Sequence, residues 1–298
     1  MRILIAGSSG FLGSRLVRFL HEDGHKVRRL VRREPRAGDE TRWDPGRGRV
    51  DEAAITEADV VVNLAGANVG GKRWTPAYKR ELHDSRIDTT ATLARAIAAT
   101  GGSTALLNSS AVGFYGDTGD RAIDERAPAG TGFLADLCRD WEAATAPAEA
   151  AGVRVVHLRT GLPLDSDGGL LKPLVPIFRL GAGGKLGSGD QYLPWISLPD
   201  WLAAVRFLLN RPEVAGPVNL TGPNPVTNAA FTRALARQLR RPALVPVPPL
   251  ALRVALGEFA DEALASQRVL PGVLTKAGFD FRYRDVTSAL RWAVDHAD

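Results

Sequence analysis

The amino-acid sequence predicts an α/β fold, a doubly wound parallel sheet of the Rossmann type with a smaller, mostly helical C-terminal lobe. Two observations predict it. Short β-branched runs alternate with stretches of helical spacing through the first two-thirds of the chain, and this alternation is typical of βαβ units that are covered on both faces. A glycine-rich turn also follows the first run and opens the first helix, where doubly wound sheets bind phosphate groups.

The elements of the predicted sheet follow one another in a regular order. Strands are predicted over residues 3–6, 26–31, 59–63, 105–109 and 153–158. Helices are predicted over residues 11–22, 76–99 and 133–150. Because helices join these strands, we expect the strands to pair in parallel through right-handed connections.

The pattern changes after about Leu162, where glycines and prolines interrupt the periodicity. Helices over 198–210 and 228–239 and a strand over 218–220 are still predicted. A proline-rich stretch at 246–249 marks a boundary, because each proline fixes φ and removes a backbone donor, and a compact helical piece over 250–297 follows. We therefore expect a main domain over residues 1–240, with substrate-lobe insertions from about residue 162. A C-terminal helical extension over 241–298 would contribute to the substrate lobe.

The composition excludes several classes of protein. The chain has 298 residues, 45% of them hydrophobic and 24% charged, with a net charge of +5, a balance typical of soluble globular proteins. The single cysteine, Cys138, cannot form a disulfide within the chain, which favours a reducing, cytoplasmic location. We expect no membrane partner, no nucleic acid and no bound metal, because no stretch is apolar enough for a membrane anchor, the arginines are scattered, and the histidines lack metal-site spacing. The oligomeric state stays open.

The turn at residues 7–13 has the spacing of a dinucleotide site, with glycines at positions 7, 10 and 13. The first glycine allows a tight bend, the second lets the backbone approach a diphosphate, and the third lets the helix pack on the sheet. The first N–H groups of the helix then face the phosphates. The cofactor-binding residues predicted in this turn are Gly7, Ser9, Gly10, Phe11, Leu12 and Gly13. An ordinary strand-to-helix turn is the alternative.

The end of the second strand indicates which dinucleotide binds. An NAD site usually has an acidic residue there, whereas an NADP site offers arginine to the 2′-phosphate. The strand ends in Arg32 and Arg33, and the first acid is Glu34. Guanidinium groups suit bidentate phosphate contacts, so the sequence predicts NADP(H). Two solvated surface arginines are the alternative.

Small and hydroxyl-bearing residues follow the next strands at the edge where such sheets bind ligands. Leu64, Ala65 and Gly66 follow the strand that ends at residue 63 and are predicted to border the nicotinamide ribose. The segment 108–116 ends the next strand and contains three hydroxyl groups. There we predict Ser109 as a cofactor contact and Ser110 and Tyr115 as catalytic residues. Local backbone caps for the serines and a half-buried aromatic for the tyrosine are the alternatives.

The glycine turn and the segments 63–66 and 108–116 resemble extended short-chain dehydrogenases/reductases of the NAD-dependent epimerase/dehydratase type. Further motifs resemble the epimerase-like subgroup with a C-terminal extension of unassigned function. These motifs are Trp43-Asp44-Pro45, Ser85-Arg86-Ile87, Cys138-Arg139-Asp140-Trp141-Glu142 and Ser266-Gln267-Arg268-Val269. The resemblance spans nearly the whole chain and implies a dinucleotide-binding domain with NADP(H) as its cofactor.

The sequence departs from this superfamily at the usual proton donor. Its reductases and epimerases use a Tyr-x-x-x-Lys pair on the helix after the serine strand, where the lysine lowers the pKa of the tyrosine. Here that region holds Phe133 or Leu134 in place of the tyrosine and Leu137 or Cys138 in place of the lysine. Neither Phe nor Leu donates a proton, so the usual acid/base pair is absent.

Four residues are predicted to contact the substrate. Arg86 lies on the long helix that follows the segment 63–66, and Lys185, Gln191 and Trp195 lie in or beside a glycine-rich stretch that resembles the substrate-side loop of the family. These side chains offer charge, hydrogen bonding and stacking. A surface salt bridge for Arg86 and a flexible surface loop for the others are the alternatives.

These observations predict an NADP(H)-dependent oxidoreductase that transfers hydride to or from a small carbonyl or alcohol substrate. Two alternatives remain. A nucleotide-sugar epimerase or dehydratase needs a proton relay, and the absent Tyr-x-x-x-Lys pair disfavours it. A non-catalytic NADP(H)-binding sensor or interaction protein would keep the phosphate turn and lose that pair.

Overall fold

The computed structural model describes residues 1–101 and 104–296, and it contains the predicted parallel sheet. In chain order the strands are β1 (Arg2–Ala6), β2 (Lys26–Val31), β3 (Glu40–Arg42), β4 (Val60–Asn63), β5 (Ala105–Ala111), β6 (Val155–Thr160), β7 (Leu162–Asp165), β8 (Gly168–Gly169), β9 (Tyr192–Leu193), β10 (Trp195–Ser197), β11 (Gly216–Leu220) and β12 (Val226–Thr227). Within the described residues, seven of them form a sheet in the order β11-β6-β5-β4-β1-β2-β3. Strand β1 pairs in parallel with β2 and β4, as β2 does with β3 and β4 with β5. The predicted fold class is confirmed.

Helices connect these strands. They are α1 (Phe11–Glu22), α2 (Glu52–Thr56), α3 (Pro76–Ala99), α4 (Phe133–Ala143), α5 (Ala146–Ala150), α6 (Leu171–Arg179), α7 (Leu198–Leu209), α8 (Asn228–Leu239), α9 (Pro249–Leu256), α10 (Phe259–Leu264), α11 (Gly272–Lys276) and α12 (Val286–Asp295). The C-terminal extension is helical as predicted, and Ala297, where the predicted piece ends, lies outside the described residues. Among the helices of residues 1–101 and 104–296, none combines the length and the apolar character that crossing a membrane requires.

The chain forms two compact units that are discontinuous in sequence. Unit 1 comprises Met1–Ser110, Asp136–Leu158 and Val205–Pro217. Its core is aliphatic, with buried side chains from β1, β4 and β5 packed with those of α2, α3 and α5. The strands β1, β4 and β5 carry buried hydrophobic side chains on both faces, as a sheet covered by helices on both sides requires.

Unit 2 comprises Ala111–Ala135, Arg159–Ala204 and Val218–Asp298. One of its cores joins α6, α8 and α12 with side chains of β7 and β10, and a smaller core holds Val112, Tyr115, Ile123 and Val269. The sequence analysis expects a main domain over residues 1–240, with substrate-lobe insertions from about residue 162, and an extension over 241–298. Residues 159–204 and 218–298 share unit 2 with residues 111–135.

Three of the differences between the predicted and the observed elements have local reasons. Strand β3 was not predicted, since its sequence Glu-Thr-Arg has no apolar run. The predicted helix over 133–150 divides into α4 and α5, because Pro147 has no N–H to offer the carbonyl of Ala143 and would clash with it. Helix α6 was also missed, since Pro173 and Pro176 interrupt its sequence.

Candidate cofactor and catalytic site

The glycine turn of unit 1 has the backbone geometry of a phosphate-binding turn. Gly7 has a φ of 78°, which disfavours any residue with a side chain. A Cβ atom on Gly7 would lie 2.5 Å from the carbonyl oxygen of Leu64, so the turn packs directly on the segment that follows β4. A Cβ atom on Gly13 would collide with the carbonyl oxygen of Gly7. Gly7 therefore allows the turn to pack on the segment after β4, and Gly13 allows α1 to pack on the turn that follows β1.

The N-terminus of α1 is open. Gly10 is its N-cap residue and supplies no side-chain cap, and a Cβ atom there would lie 3.4 Å from the Gly7 carbonyl oxygen, within ordinary contact. The first intrahelical bond runs from the N–H of Ser14 to the carbonyl of Gly10. The N–H groups of Phe11, Leu12 and Gly13 precede that bond, and Ser9 and Gly10 are exposed. This arrangement suits a bound phosphate, which would accept from these donors.

The two arginines after β2 differ in their surroundings. Both terminal nitrogens of the Arg33 guanidinium donate to the Glu40 carboxylate, Nη1 at 2.8 Å and Nη2 at 2.6 Å. Nη1 also donates to the Glu34 carbonyl. The Glu40 side chain is only 2% exposed and also pairs with Arg29. Its hydrogen bond from Arg33, with one from the Arg36 N–H, lowers the pKa of Glu40 to about 2. Glu40 thus fixes Arg33 at the strand end.

Arg32 carries the uncompensated charge at this edge. Its side chain is exposed, and within residues 1–101 and 104–296 no carboxylate forms an ion pair with it. A guanidinium in this condition keeps all five N–H groups for an anion or for water. The structure thus distinguishes Arg33, which an ion pair fixes, from Arg32, which has no ion-pair partner among the described residues.

A buried polar network lies at the carboxyl ends of β4 and β5. The side-chain amide of Asn63 donates to Asn108 at 2.8 Å and to Thr90 of α3 at 3.0 Å, and the indole of Trp141 donates to the same threonine at 2.9 Å. The amide oxygen of Asn63 accepts from the N–H of Ala65 at 3.2 Å. This network therefore holds the segment Leu64, Ala65 and Gly66 in place against the glycine turn.

Ser110 lies at the end of β5 and is paired with an acid. Its side chain is buried, and its hydroxyl donates to Oε1 of Glu142 on α4 at 2.6 Å. Ser109 precedes it, is partly exposed, and accepts from the side-chain amide of Asn108 through its carbonyl at 2.9 Å. The structure thus brings one predicted catalytic residue together with a carboxylate that the sequence reasoning did not assign.

Arg86 is buried on α3, where the sequence allowed a surface salt bridge. It is 7% exposed and donates to two backbone carbonyls, that of Leu82 at 2.9 Å and that of Ala67 at 3.0 Å. The centre of its guanidinium lies 5.0 Å from the centroid of the Trp141 ring, a cation–π distance. Burial lowers the pKa of Arg86.

Tyr115 lies in unit 2 and is fully engaged there. The phenol is 3% exposed, donates to Oδ1 of Asn219 at 2.8 Å and accepts from Arg159 at 2.9 Å. Arg159 also stacks on Phe114, with 3.5 Å from its guanidinium carbon to the ring centroid. Burial raises the pKa of Tyr115, and the charge of Arg159 opposes that rise. The sequence analysis predicts Tyr115 as a catalytic residue, with a half-buried aromatic as the alternative, and the phenol is buried and bonded to protein groups.

The predicted substrate-side residues Lys185, Gln191 and Trp195 bind protein groups of unit 2. Trp195 is 1% exposed, belongs to the α6–α8–α12 core, and donates its indole N–H to the carbonyl of Asn224 at 3.0 Å. Gln191 is buried and donates to the carbonyl of Leu186, and Lys185 is exposed and donates to the carbonyl of Ser188. The sequence analysis expected Trp195 to stack on a ligand, whereas its ring packs in the core of unit 2.

Sequence reasoning missed several polar residues of these two regions. They are Glu40, Thr90, Asn108 and Glu142 in unit 1 and Arg159 in unit 2. The paired asparagines at the ends of two neighbouring strands, 63 and 108, were a readable indication of a network. The pairing of Ser110 with Glu142 was not, since it depends on how α4 docks on β5.

The sequence profile of the NAD dependent epimerase/dehydratase family matches residues 3–221. A second profile, described as a domain of unknown function (DUF1731), matches residues 247–293. The chain therefore belongs to the NAD dependent epimerase/dehydratase family, and the resemblance noted in the sequence is confirmed.

Similar proteins cover the chain from end to end. An epimerase family protein of Mycobacterium bovis is 50% identical over 293 residues, which cover 98% of this chain and 97% of that one. The human epimerase family protein SDR39U1, solved with NADPH, has a TM-score of 0.91 at 30% identity and 100% coverage of both chains. A structure named as a nucleoside-diphosphate sugar epimerase from Corynebacterium glutamicum has a TM-score of 0.79 at 37% identity, covering 97% of this chain and 57% of that one.

Proposed function

We propose that this protein binds NADP(H) and is an oxidoreductase acting on a small carbonyl or alcohol substrate. The observation that carries the proposal is the combination of an open phosphate turn with an unpaired Arg32 beside a fixed Arg33. A 2′-phosphate accepts charge-assisted hydrogen bonds from such guanidinium groups. The bound NADPH of the human relative supports the same choice of cofactor.

The residues of unit 1 fit the cofactor at separate points. The N–H groups that open α1 would hold the diphosphate, Arg32 and Arg33 would hold the 2′-phosphate, and the segment 64–66 would border the nicotinamide ribose. The turn itself supports this placement, since Gly10 has space above its backbone where a diphosphate could approach. When bound, the reduced nicotinamide supplies a hydride to the substrate carbon.

Ser110 and Glu142 are the proton-handling pair in this proposal. The Ser110 hydroxyl gives its hydrogen to the Glu142 carboxylate, so the lone pairs of its oxygen are available to a substrate hydroxyl. In the oxidising direction the substrate proton passes to the Ser110 oxygen as the serine proton passes to Glu142. In the reducing direction the same two transfers run in reverse, and the carbonyl oxygen receives the proton. A positioned relay of this kind contributes about 10²- to 10⁴-fold to a rate.

Tyr115 has a structural role in this proposal. Both of its hydrogen-bond partners are protein groups, Asn219 and Arg159, and it belongs to the small core of unit 2. We further propose that the substrate is a small molecule. We also propose a reducing, cytoplasmic compartment, because the chain has a single cysteine, Cys138, and its side chain is buried.

Oxidation of NADPH against a panel of aldehydes, ketones and keto acids tests the proposed activity. We expect turnover with at least one class of carbonyl compound. With that substrate, Ser110→Ala and Glu142→Gln should each lower kcat about 100-fold or more, whereas Tyr115→Phe should leave kcat within about threefold. Loss of turnover in Tyr115→Phe with retention in Ser110→Ala would reverse the two roles.

A non-catalytic NADP(H) sensor is the second candidate. The observation that favours it is α4, which begins with Phe133 and Leu134 where the superfamily has its tyrosine. Tight NADPH binding without turnover of any carbonyl or alcohol would support the sensor. Interconversion of nucleotide sugars at a constant NADPH concentration would instead support the epimerase alternative.

A further inference from the structure

Arg86 is a buried cation that has no counter-ion in unit 1. It is 7% exposed, and within the described residues no carboxylate lies within ion-pair distance of its guanidinium. Two of its five N–H groups donate to the backbone carbonyls of Leu82 and Ala67. Buried charges in proteins are usually paired, so this guanidinium is a candidate partner for an anion.

The guanidinium lies beside the segment that packs on the phosphate turn. A Cβ atom on Gly66 would lie 3.3 Å from the guanidinium carbon of Arg86 and 3.5 Å from one of its nitrogens. Two residues earlier, the carbonyl of Leu64 contacts the position of a Gly7 Cβ at 2.5 Å. Arg86 and the glycine turn therefore both pack against the same three-residue segment, 64–66, which follows β4.

We propose that Arg86 binds an oxyanion of the dinucleotide diphosphate, on the nicotinamide side of the phosphate turn. This inference rests on the proposed function and assigns to the cofactor a residue that the sequence analysis assigned to the substrate. The guanidinium is held by two carbonyls and stacked on Trp141, so its remaining N–H groups are preorganised for bidentate contact with a phosphate.

A substrate carboxylate is the competing source of the anion, and binding measurements distinguish it from the diphosphate. NADPH contains the whole diphosphate, whereas adenosine 2′,5′-bisphosphate keeps the 2′-phosphate and one 5′-phosphate but lacks the nicotinamide-side phosphate. We expect Arg86→Gln to weaken NADPH by about 10- to 100-fold in calorimetry, the range of hydrogen bonds to charged groups. The affinity for adenosine 2′,5′-bisphosphate should change by less than about threefold.

Arg95→Gln is the matched control, because it removes the same charge from an exposed position of the same helix, and it should leave both affinities unchanged. An unchanged NADPH affinity in Arg86→Gln would overturn the inference and favour a substrate carboxylate. An equal loss for both ligands would also overturn it, since Arg86 would then act on the fold or on the adenosine half.

Arg86→Lys keeps the inference testable if Arg86→Gln does not fold. A lysine retains the charge but loses the bidentate fork, so NADPH should weaken by at least about threefold while adenosine 2′,5′-bisphosphate is unaffected. An unchanged NADPH affinity in Arg86→Lys would overturn the inference. If the wild-type protein binds neither ligand, the proposed function fails and the inference fails with it. If the wild type binds NADPH and the Arg86 variants bind it equally well, only the inference is refuted.

Discussion

At the scale of single residues, the pairing of each charge indicates its role. Arg33 and Glu40 neutralise each other, whereas Arg32, the residue directly before Arg33, has no such partner among the described residues. The sequence placed both arginines at the end of β2, but it could not separate them, because the partner of Arg33 lies on a strand that the sequence did not predict. Arg32 is therefore expected to contribute most to the choice between NADPH and NADH.

Replacement of Arg32 by serine tests that expectation. Arg32→Ser should weaken NADPH by at least about tenfold, because the 2′-phosphate loses a charge-assisted partner, and should leave NADH within about threefold. Arg33→Ser should have a smaller effect, since Glu40 already shares its charge. Calorimetric titration of both cofactors provides the measurement, with the exposed Arg18→Ser as the control. Equal losses for NADPH and NADH would show that Arg32 does not recognise the 2′-phosphate.

Burial is the feature that the sequence could not show for two of the predicted site residues. Tyr115 was predicted to be catalytic and Trp195 to contact the substrate, and both side chains lie in hydrophobic cores of unit 2. The local sequence around an aromatic residue is the same whether its ring faces a ligand or a core. Which of the two occurs depends on residues distant in sequence, such as Asn219 for Tyr115 and Asn224 for Trp195.

At the scale of elements, three long helices were predicted with their bounds, whereas a strand of charged and polar residues and a helix with prolines in its sequence were missed. Helices α1, α3 and α8 begin and end where the sequence predicted. Strand β3 is different, because ion pairs hold it to β2 at the edge of the sheet: Arg29 binds Asp39 and Glu40, and Arg33 binds Glu40. An element made of polar residues leaves no hydrophobic pattern to read.

The ion pairs of β3 predict a specific dependence of stability on pH. The pKa of Glu40 is about 2 in the folded protein, below its ordinary value of about 4.3. Its contribution is therefore present above that ordinary value and is lost as the pH falls toward 2. Glu40→Gln should unfold at lower urea concentration at pH 7 and lose less stability than the wild type between pH 5 and pH 3. Identical differences between the two proteins at both pH values would contradict this account.

The phosphate turn predicts opposite consequences for two of its glycines. Gly10 has space for a side chain in the free protein, so Gly10→Val should block NADPH and NADH while the melting temperature changes little. A Cβ atom on Gly13 would collide with the Gly7 carbonyl, so Gly13→Ala should lower the free energy of unfolding by about 1–3 kcal/mol. Thermal unfolding and calorimetric titration of both variants distinguish the effects, and full cofactor affinity in Gly10→Val would refute the placement of the diphosphate.

At the scale of the whole molecule, the sequence predicted the fold class but not the division of the chain. A composition shift near residue 246 is visible in sequence, and it coincides with the start of the second matched profile at residue 247. The two units are defined instead by which segments pack together: residues 111–135 belong to unit 2, and residues 205–217 belong to unit 1. This packing joins segments that are distant in sequence, so no local sequence pattern predicts it.

The account rests on the binding of a phosphorylated nicotinamide dinucleotide by unit 1. Calorimetric titration of the purified chain, after removal of any bound nucleotide, with NADPH and separately with NADH tests it most directly. We predict saturable binding of one NADPH per chain, with at least about tenfold weaker binding of NADH. Absence of heat with both nucleotides, or tighter binding of NADH, would contradict the assignment of the glycine turn and the two arginines.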